Sequence, residues 1–259
     1  MLSKRKILIT GASGGIGLAS ARRFAQNGDA LFLHAFQNSS CLAALQKEFP
    51  NVPMTVHQCD LGDLAAQDAL VEAAWNWNPS PGNTNFRPGL EVLIQTAGID
   101  ILTGEQKKMN FEQKLDALWK VDVQAGIRIA RNVAQRIVTA QTSGSILLIG
   151  WNAVEWGMAG DSAELFAAAK GAVTAFARSL AQKVGPNVRV NCVAPGWIQT
   201  RWGQNAPQAW QELAMRDSLM NRWGTPEDAA QTLFFLASPE AGFLNGQVIA
   251  IDGGKKQKN

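Results

Sequence analysis

The chain is predicted to fold as one α/β domain: a doubly wound parallel sheet of the Rossmann type, three layers deep, with helices on both faces. Three observations carry this. Short apolar runs alternate with longer helical patterns along all 259 residues, as parallel strands joined by right-handed helical crossovers do. The runs KILIT, LFLH, LEVLIQ, SILLIG and VRVNCV are almost continuously apolar, as strands covered on both faces are. The first run enters a glycine-rich turn that opens a helical stretch, the arrangement that holds dinucleotides.

Taken in order, strands are expected at 6–10, 29–34, 54–59, 90–95, 145–150, 188–193 and 247–251, with helices in most of the gaps. The segment 75–89, WNWNPSPGNTNFRPG, is dense in Asn, Pro and Gly and reads as a surface loop before the fourth strand. In DSAE, Asp161 and Glu164 have the spacing of a capping box at the start of a helix. The stretch 197–223 holds Trp197, Trp202, Trp210, Met215, Met220 and Trp223. It is either a lid over a substrate pocket or a helical excursion packed on its own aromatics. Its place behind the motifs below favours the lid, and a lid so lined suits an apolar or aromatic small-molecule substrate.

Composition bounds the possible partners. Hydrophobic residues make up 46% and charged residues 17%, which suits one buried core spanning 1–259 and excludes a disordered chain. The net charge is +3. The basic residues cluster only at Lys4, Arg5 and Lys6 and at Lys255, Lys256 and Lys258. Both clusters are expected to be solvated chain ends, so no nucleic-acid partner is expected. Cys41, Cys59 and Cys192 match neither a zinc site nor a redox pair, which implies no metal and a reducing, cytoplasmic setting. The apolar run Ile7 to Ile9 is too short for an export signal or a membrane span.

The glycine turn is GASGGIG, with Gly11, Ser13, Gly15, Ile16 and Gly17 between Thr10 and the helical run LASARRFAQ. Glycines allow the tight turn and the close approach of a pyrophosphate, and the next helix offers free N–H groups and its positive dipole end. Further landmarks follow in order: Asp60-Leu61 after the third strand, Thr96-Ala97-Gly98 after the fourth, Pro195-Gly196-x-Ile198-x-Thr200 after the sixth, and Ile251-Asp252-Gly253-Gly254 at the end.

With these residues the chain resembles the short-chain dehydrogenase/reductase family from end to end. The resemblance implies a nicotinamide dinucleotide. Asp60 would stand against the adenine amino group, and the 195–200 turn would meet the nicotinamide carboxamide. After the second strand the chain reads His34-Ala35-Phe36-Gln37-Asn38-Ser39. An acidic residue there would bind the ribose hydroxyls of NAD(H) and repel a 2′-phosphate. None is present, which slightly favours NADP(H). No Arg or Lys stands there either, leaving His34, Asn38 and Ser39 as a modest substitute.

Members of the family work with a Tyr-x-x-x-Lys helix, a Ser after the fifth strand and an Asn on the preceding helix. This chain has Phe166-Ala-Ala-Ala-Lys170 and no tyrosine anywhere. Helical spacing puts Phe166 and Lys170 on one face, so Lys170 can still bind ribose while Phe166 exchanges no proton. Counting from the fifth strand puts Trp151 at the serine position, and counting back from Phe166 puts Asn152 or Ala153 there. Asn152 can donate a hydrogen bond to a substrate oxygen. Asp122 stands in place of the Asn, either to hold Lys170 through water, to pair with it directly, or to donate a proton. Ser162, one turn before Phe166, is the only nearby hydroxyl.

The candidate catalytic set is therefore Lys170, Phe166, Asn152 and Asp122. The resemblance implies an NAD(P)(H)-dependent oxidoreductase acting on a carbonyl or alcohol, with an altered proton-donor site. It also implies a homodimer or homotetramer built on helices near 111–138 and 162–184. Two alternatives stand beside it: a cofactor-binding structural or regulatory subunit without hydride transfer, and a non-redox lyase or isomerase.

Overall fold

The computed structural model describes residues 4–79 and 86–256. In chain order the elements are β1 (Lys6–Thr10), α1 (Gly15–Gln26), β2 (Ala30–Ala35), α2 (Ser40–Glu48), β3 (Met54–Gln58), α3 (Leu64–Asn76) and β4 (Val92–Gln95). There follow α4 (Phe111–Leu118), a π-helical stretch (Trp119–Ala125), α5 (Gly126–Thr139), β5 (Gly144–Ile149), α6 (Asp161–Val184) and β6 (Val188–Pro195). The chain then forms α7 (Arg201–Gln204), α8 (Gln208–Asp217), α9 (Pro226–Ala237) and β7 (Val248–Ile251).

The seven strands form one parallel sheet in the order β3-β2-β1-β4-β5-β6-β7. Its faces follow from the two-residue period of a strand. Leu8, Phe32, Leu93, Ile146 and Val190 face a core with α3, α5 and α6. Ile7, Ile9, Leu31, Leu33 and Leu147 face a second core with α1, α2 and α9. Strand order reverses between β1 and β4, and such a switch point opens a crevice at the carboxyl ends of the strands. The register Thr10↔Gln95 sets Gly11 beside Thr96 at that crevice.

Three local expectations are corrected. Arg5 and Lys6 are buried, not solvated. Arg5 Nη2 meets Asp29 Oδ2 at 2.8 Å, its guanidinium lies against Phe24 and Phe234, and it donates to the Ala237 carbonyl. Lys6 Nζ donates to the Trp77 carbonyl. A fixed partner for each amine outweighs hydration at this chain end. Second, Trp75 and Asn76 close α3 and Trp77 packs edge-on against Phe32, because large indoles next to a core bury themselves despite loop-like neighbours. Residues 80–85 of the expected loop, and Lys258, lie outside the described residues. Third, the capping box at 161–164 does not form: Asp161 is already helical, Gly160 caps α6 with no side-chain bond, and the Glu164 N–H donates to the Gly160 carbonyl.

Candidate active site

At the switch point lies a cleft of about 1060 Å³, with Gly11, Ser13, Gly15, Asp60, Leu61, Ala97, Gly98 and Thr200 among its lining residues. Gly11 has φ +62°, and a Cβ on it would stand 2.6 Å from the Ala97 Cα. A Cβ on Gly17 would stand 2.2 Å from the Gly11 carbonyl oxygen, so only glycine lets α1 start this close to the turn. Ile16 packs partly into the core behind the turn. Gly14 caps α1 with no side-chain bond, which leaves the first N–H groups of the helix free for an anion. The Thr96 hydroxyl donates to the Thr10 carbonyl at 2.5 Å, and the Ala97 N–H donates to the Thr10 hydroxyl at 3.2 Å. These bonds tie the β1 and β4 turns together.

His34 has a different task from the one its position suggested. The Gly11 N–H donates to its Nδ1 at 3.1 Å, and its Nε2 lies 3.1 Å from the Cys59 carbonyl. Both bonds are satisfied only by a neutral ring protonated on Nε2, and burial pushes its pKa down. The ring is a strut under the glycine turn, not a phosphate ligand. Asn38 is also engaged, its Oδ1 accepting from the Ser40 N–H and hydroxyl. Phe36 stands 52% exposed and lines the cleft. Asp60 does not cap α3; that is done by Asp63, which accepts from the Ala65 N–H, while Asp60 accepts from Gly62 N–H. Burial pushes the Cys59 thiol up to about 11, far from a nucleophilic thiolate.

The other end of the cleft closes on Phe166. Its ring packs with Ile101, Leu118, Val123 and Leu165 and meets Trp151 at 6.3 Å between centroids and 62° between planes. Trp151, not Asn152, is thus the residue against the Phe166 ring. The Asn152 Nδ2 donates to Asp252 Oδ2 at 3.1 Å instead, beside Gly196, whose N–H donates to the Ile251 carbonyl. Asp122 sits in the π-helical stretch, 4% exposed, where an extra residue per turn rotates it inward. Its Oδ1 lies 2.7 Å from Lys170 Nζ and its Oδ2 accepts from Ile99 N–H at 2.9 Å. Asp122 therefore pairs with Lys170 directly, while its second oxygen accepts from the backbone. Ser162 is half-buried and does not line the cleft. Lys170, Asp122, Asn152, Pro195, Gly196 and Ile198 stand around the cleft rather than on its lining.

In the 197–223 segment, Trp197 lies 5.4 to 6.1 Å from Trp202, Trp210 and Trp223. Trp202 completes the cluster against Trp210 and Trp223 and, with Arg201, lines the cleft. Residues 252–256 bind its far end: Leu219 N–H donates to the Gly254 carbonyl, and Lys256 N–H to the Asp217 carbonyl. Sequence reasoning missed Arg201, although it directly follows the 195–200 turn. It also missed Asp252 as the partner of Asn152, which no local pattern signals across 100 residues.

A parallel sheet with a glycine turn and an uncapped helix at its switch point defines a dinucleotide-binding α/β protein. Residues 11–256 match the family model described as enoyl-(acyl carrier protein) reductase. The 3-oxoacyl-[acyl-carrier-protein] reductase FabG of Thermotoga maritima is 32% identical over 256 residues, covering 98% of each chain. The dehydrogenase/reductase SDR family member 4 of Sus scrofa is 29% identical, covering 98% of this chain and 88% of its own. Among solved structures, BdcA in complex with NADPH aligns with TM-score 0.79 and 29% identity over 97% of this chain and 94% of its own. A short-chain dehydrogenase/reductase from Serratia marcescens reaches TM-score 0.83 at 24% identity, over 98% of this chain and 99% of its own, a likeness of fold. The chain belongs to the short-chain dehydrogenase/reductase family. Among the described residues, no helix is long and apolar enough to cross a membrane, and no cluster of His, Cys, Asp or Glu could hold a metal ion.

Proposed function

We propose that this protein is an NAD(P)(H)-dependent oxidoreductase that prefers NADP(H) and works without a side-chain proton donor at the tyrosine position. The observation that carries the reading is the contrast inside one cleft: a glycine cradle that a single Cβ would fill, facing a wall made by Phe166. The cradle fits a dinucleotide. In this reading the turn at Gly11, Ser13, Gly15, Ile16 and Gly17 and the start of α1 hold the pyrophosphate, with Arg201 at the rim. Asp60 and Leu61 border the adenine, and the exposed Phe36 offers it a ring face. Ala97 and Gly98 floor the site, Lys170 reaches a ribose hydroxyl, and Pro195, Gly196, Ile198 and Thr200 frame the carboxamide. When bound there, the reduced cofactor supplies a hydride.

The preference for NADP(H) rests on the missing carboxylate after β2, since His34 and Asn38 are already bonded within the protein. The 197–223 segment acts as a lid through Trp202 over an apolar or aromatic small molecule. Helices α4, α5 and α6 pair across a two-fold axis in a dimer or tetramer, for which the exposed Phe111 and Trp119 supply apolar surface; sedimentation as a monomer at micromolar concentration would contradict this. Calorimetric titration with NADPH and NADH tests the cofactor reading, and it fails if neither binds at millimolar concentration. NADPH binding without turnover of any acceptor would mark a cofactor-binding subunit instead.

A further inference from the structure

We propose that the hydride acceptor is a preformed organic cation with a C=N bond, an iminium or N-alkylated ring, and not a neutral carbonyl. The inference rests on the oxidoreductase reading above and concerns the substrate class. Three features of the same end of the cleft carry it.

The first is proton supply. A ketone that gains a hydride becomes an alkoxide and must take a proton. At the two positions where hydroxyls would face that oxygen stand Phe166 and Trp151, in contact with each other, and neither ring gives a proton to oxygen. An iminium needs none: the hydride pair forms the new C–H bond, the C=N π pair withdraws onto nitrogen, and the product is a neutral amine beside the oxidised cofactor. Electrons and charge balance with no acid in the site.

The second is charge. Lys170 stands beside Phe166, behind the lining of the cleft and with its side chain 14% exposed, where its charge would repel a cationic acceptor across the wall if its neighbour were neutral. The Asp122 carboxylate at 2.7 Å cancels it. Of the charged side chains lining the cleft apart from Asp60 at the adenine end, Lys120 is paired with Asp116 at 2.7 Å, and the charge of Asp100 stands against that of Arg201. The end of the cleft that would repel a cation has been neutralised.

The third is the wall itself. Phe166 and Trp202 both line the cleft, and aromatic faces attract cations that carry little hydration. A tertiary iminium is such a cation, whereas a protonated primary amine would lose its water at greater cost.

The test uses 2-methyl-3,4-dihydroisoquinolinium as the cation and 1-tetralone as a neutral carbonyl of similar shape. Bound to the cofactor-free protein and followed by tryptophan fluorescence, the cation should bind about tenfold tighter than the ketone. Asp122→Asn keeps an oxygen for the Ile99 N–H but uncovers the Lys170 charge. It should weaken cation binding about tenfold and ketone binding less than twofold, a split that mere loosening of the fold would not give. Lys170→Met, which leaves the carboxylate alone, should tighten the cation; it serves as the second variant if Asp122→Asn fails to fold. With NADPH, the cation should be reduced at least about a hundredfold faster than 1-tetralone, at a rate unchanged in deuterated water. Equal binding of both probes, indifference to the two variants, or faster reduction of the ketone overturns the cationic acceptor and leaves the oxidoreductase reading standing. NADPH binding with reduction of neither probe overturns both.

Discussion

The two ends of the cleft solve opposite problems. At the nucleotide end the cradle itself is backbone: glycines without room for a Cβ and an uncapped helix start, tied in place by the side chains of Thr10, Thr96 and His34. At the far end the contacts are side chains: the Phe166 and Trp151 rings and the closed Asp122–Lys170 ion pair. A backbone cradle tolerates almost no substitution without loss of the fold around it. A side-chain wall can be rebuilt residue by residue.

The sharpest way to break this contrast is to return proton chemistry to the wall. Phe166→Tyr combined with Trp151→Ser should raise ketone reduction by about a hundred- to ten-thousandfold, the range of positioned acid–base catalysis, measured as NADPH oxidation with a simple aryl ketone. Serine at 152 in place of 151 should give much less, because Asn152 faces Asp252. Damage to the cradle comes next. Gly17→Val puts a side chain into the Gly11 carbonyl and should weaken NADPH binding about a hundredfold, roughly 3 kcal/mol of overpacking, while calorimetric binding to the Phe166→Tyr protein stays within about threefold of the unaltered chain.

Stability supplies the next tests. Asp29→Ala leaves Arg5 buried without its carboxylate and should cost about 3–5 kcal/mol in chemical denaturation. Asp122→Ala should cost somewhat less, since Lys170 keeps a little access to water. The smallest effect belongs to His34. Its pKa in the folded chain is depressed below its ordinary value by burial, so the neutral ring stabilises the fold fully above about pH 6.5. That contribution is lost as pH falls from 6.5 toward the lowered value, at no more than about 1.4 kcal/mol per pH unit. Melting temperature and NADPH affinity should therefore decline together in mild acid, and His34→Gln should flatten both slopes. A wild-type profile as flat as the variant's would remove the strut from the account.

Much of this was legible beforehand. The seven strands lie within two residues of their expected bounds, because continuous apolar runs with short turns between them leave few registers that bury both faces. The glycine turn was legible because its pattern is contiguous in sequence, although the contacts that demand it reach across the fold, Gly11 against the Ala97 backbone and Gly15 against the Thr200 side chain. What escaped reading depends on the third dimension. The choice between Trp151 and Asn152 needed the direction in which each side chain leaves the end of β5, and the direct Asp122–Lys170 pair needed the π-helical stretch that turns Asp122 inward. Arg5 and Lys6 looked like a charged chain end because their partners, Asp29 and the Trp77 carbonyl, lie 24 and 71 residues away.

The chain has nine tryptophans and no tyrosine, and four of those indoles form one cluster around Trp197 and Trp202, with Trp202 turned to the cleft. Rings this close share their excited states, so the near-ultraviolet circular dichroism of the cluster depends on how they are stacked. Any ligand that displaces Trp202, or any opening of the segment that carries it, alters that spectrum and the emission with it. The protein thus contains its own optical gauge of how the 197–223 segment sits, readable without a label.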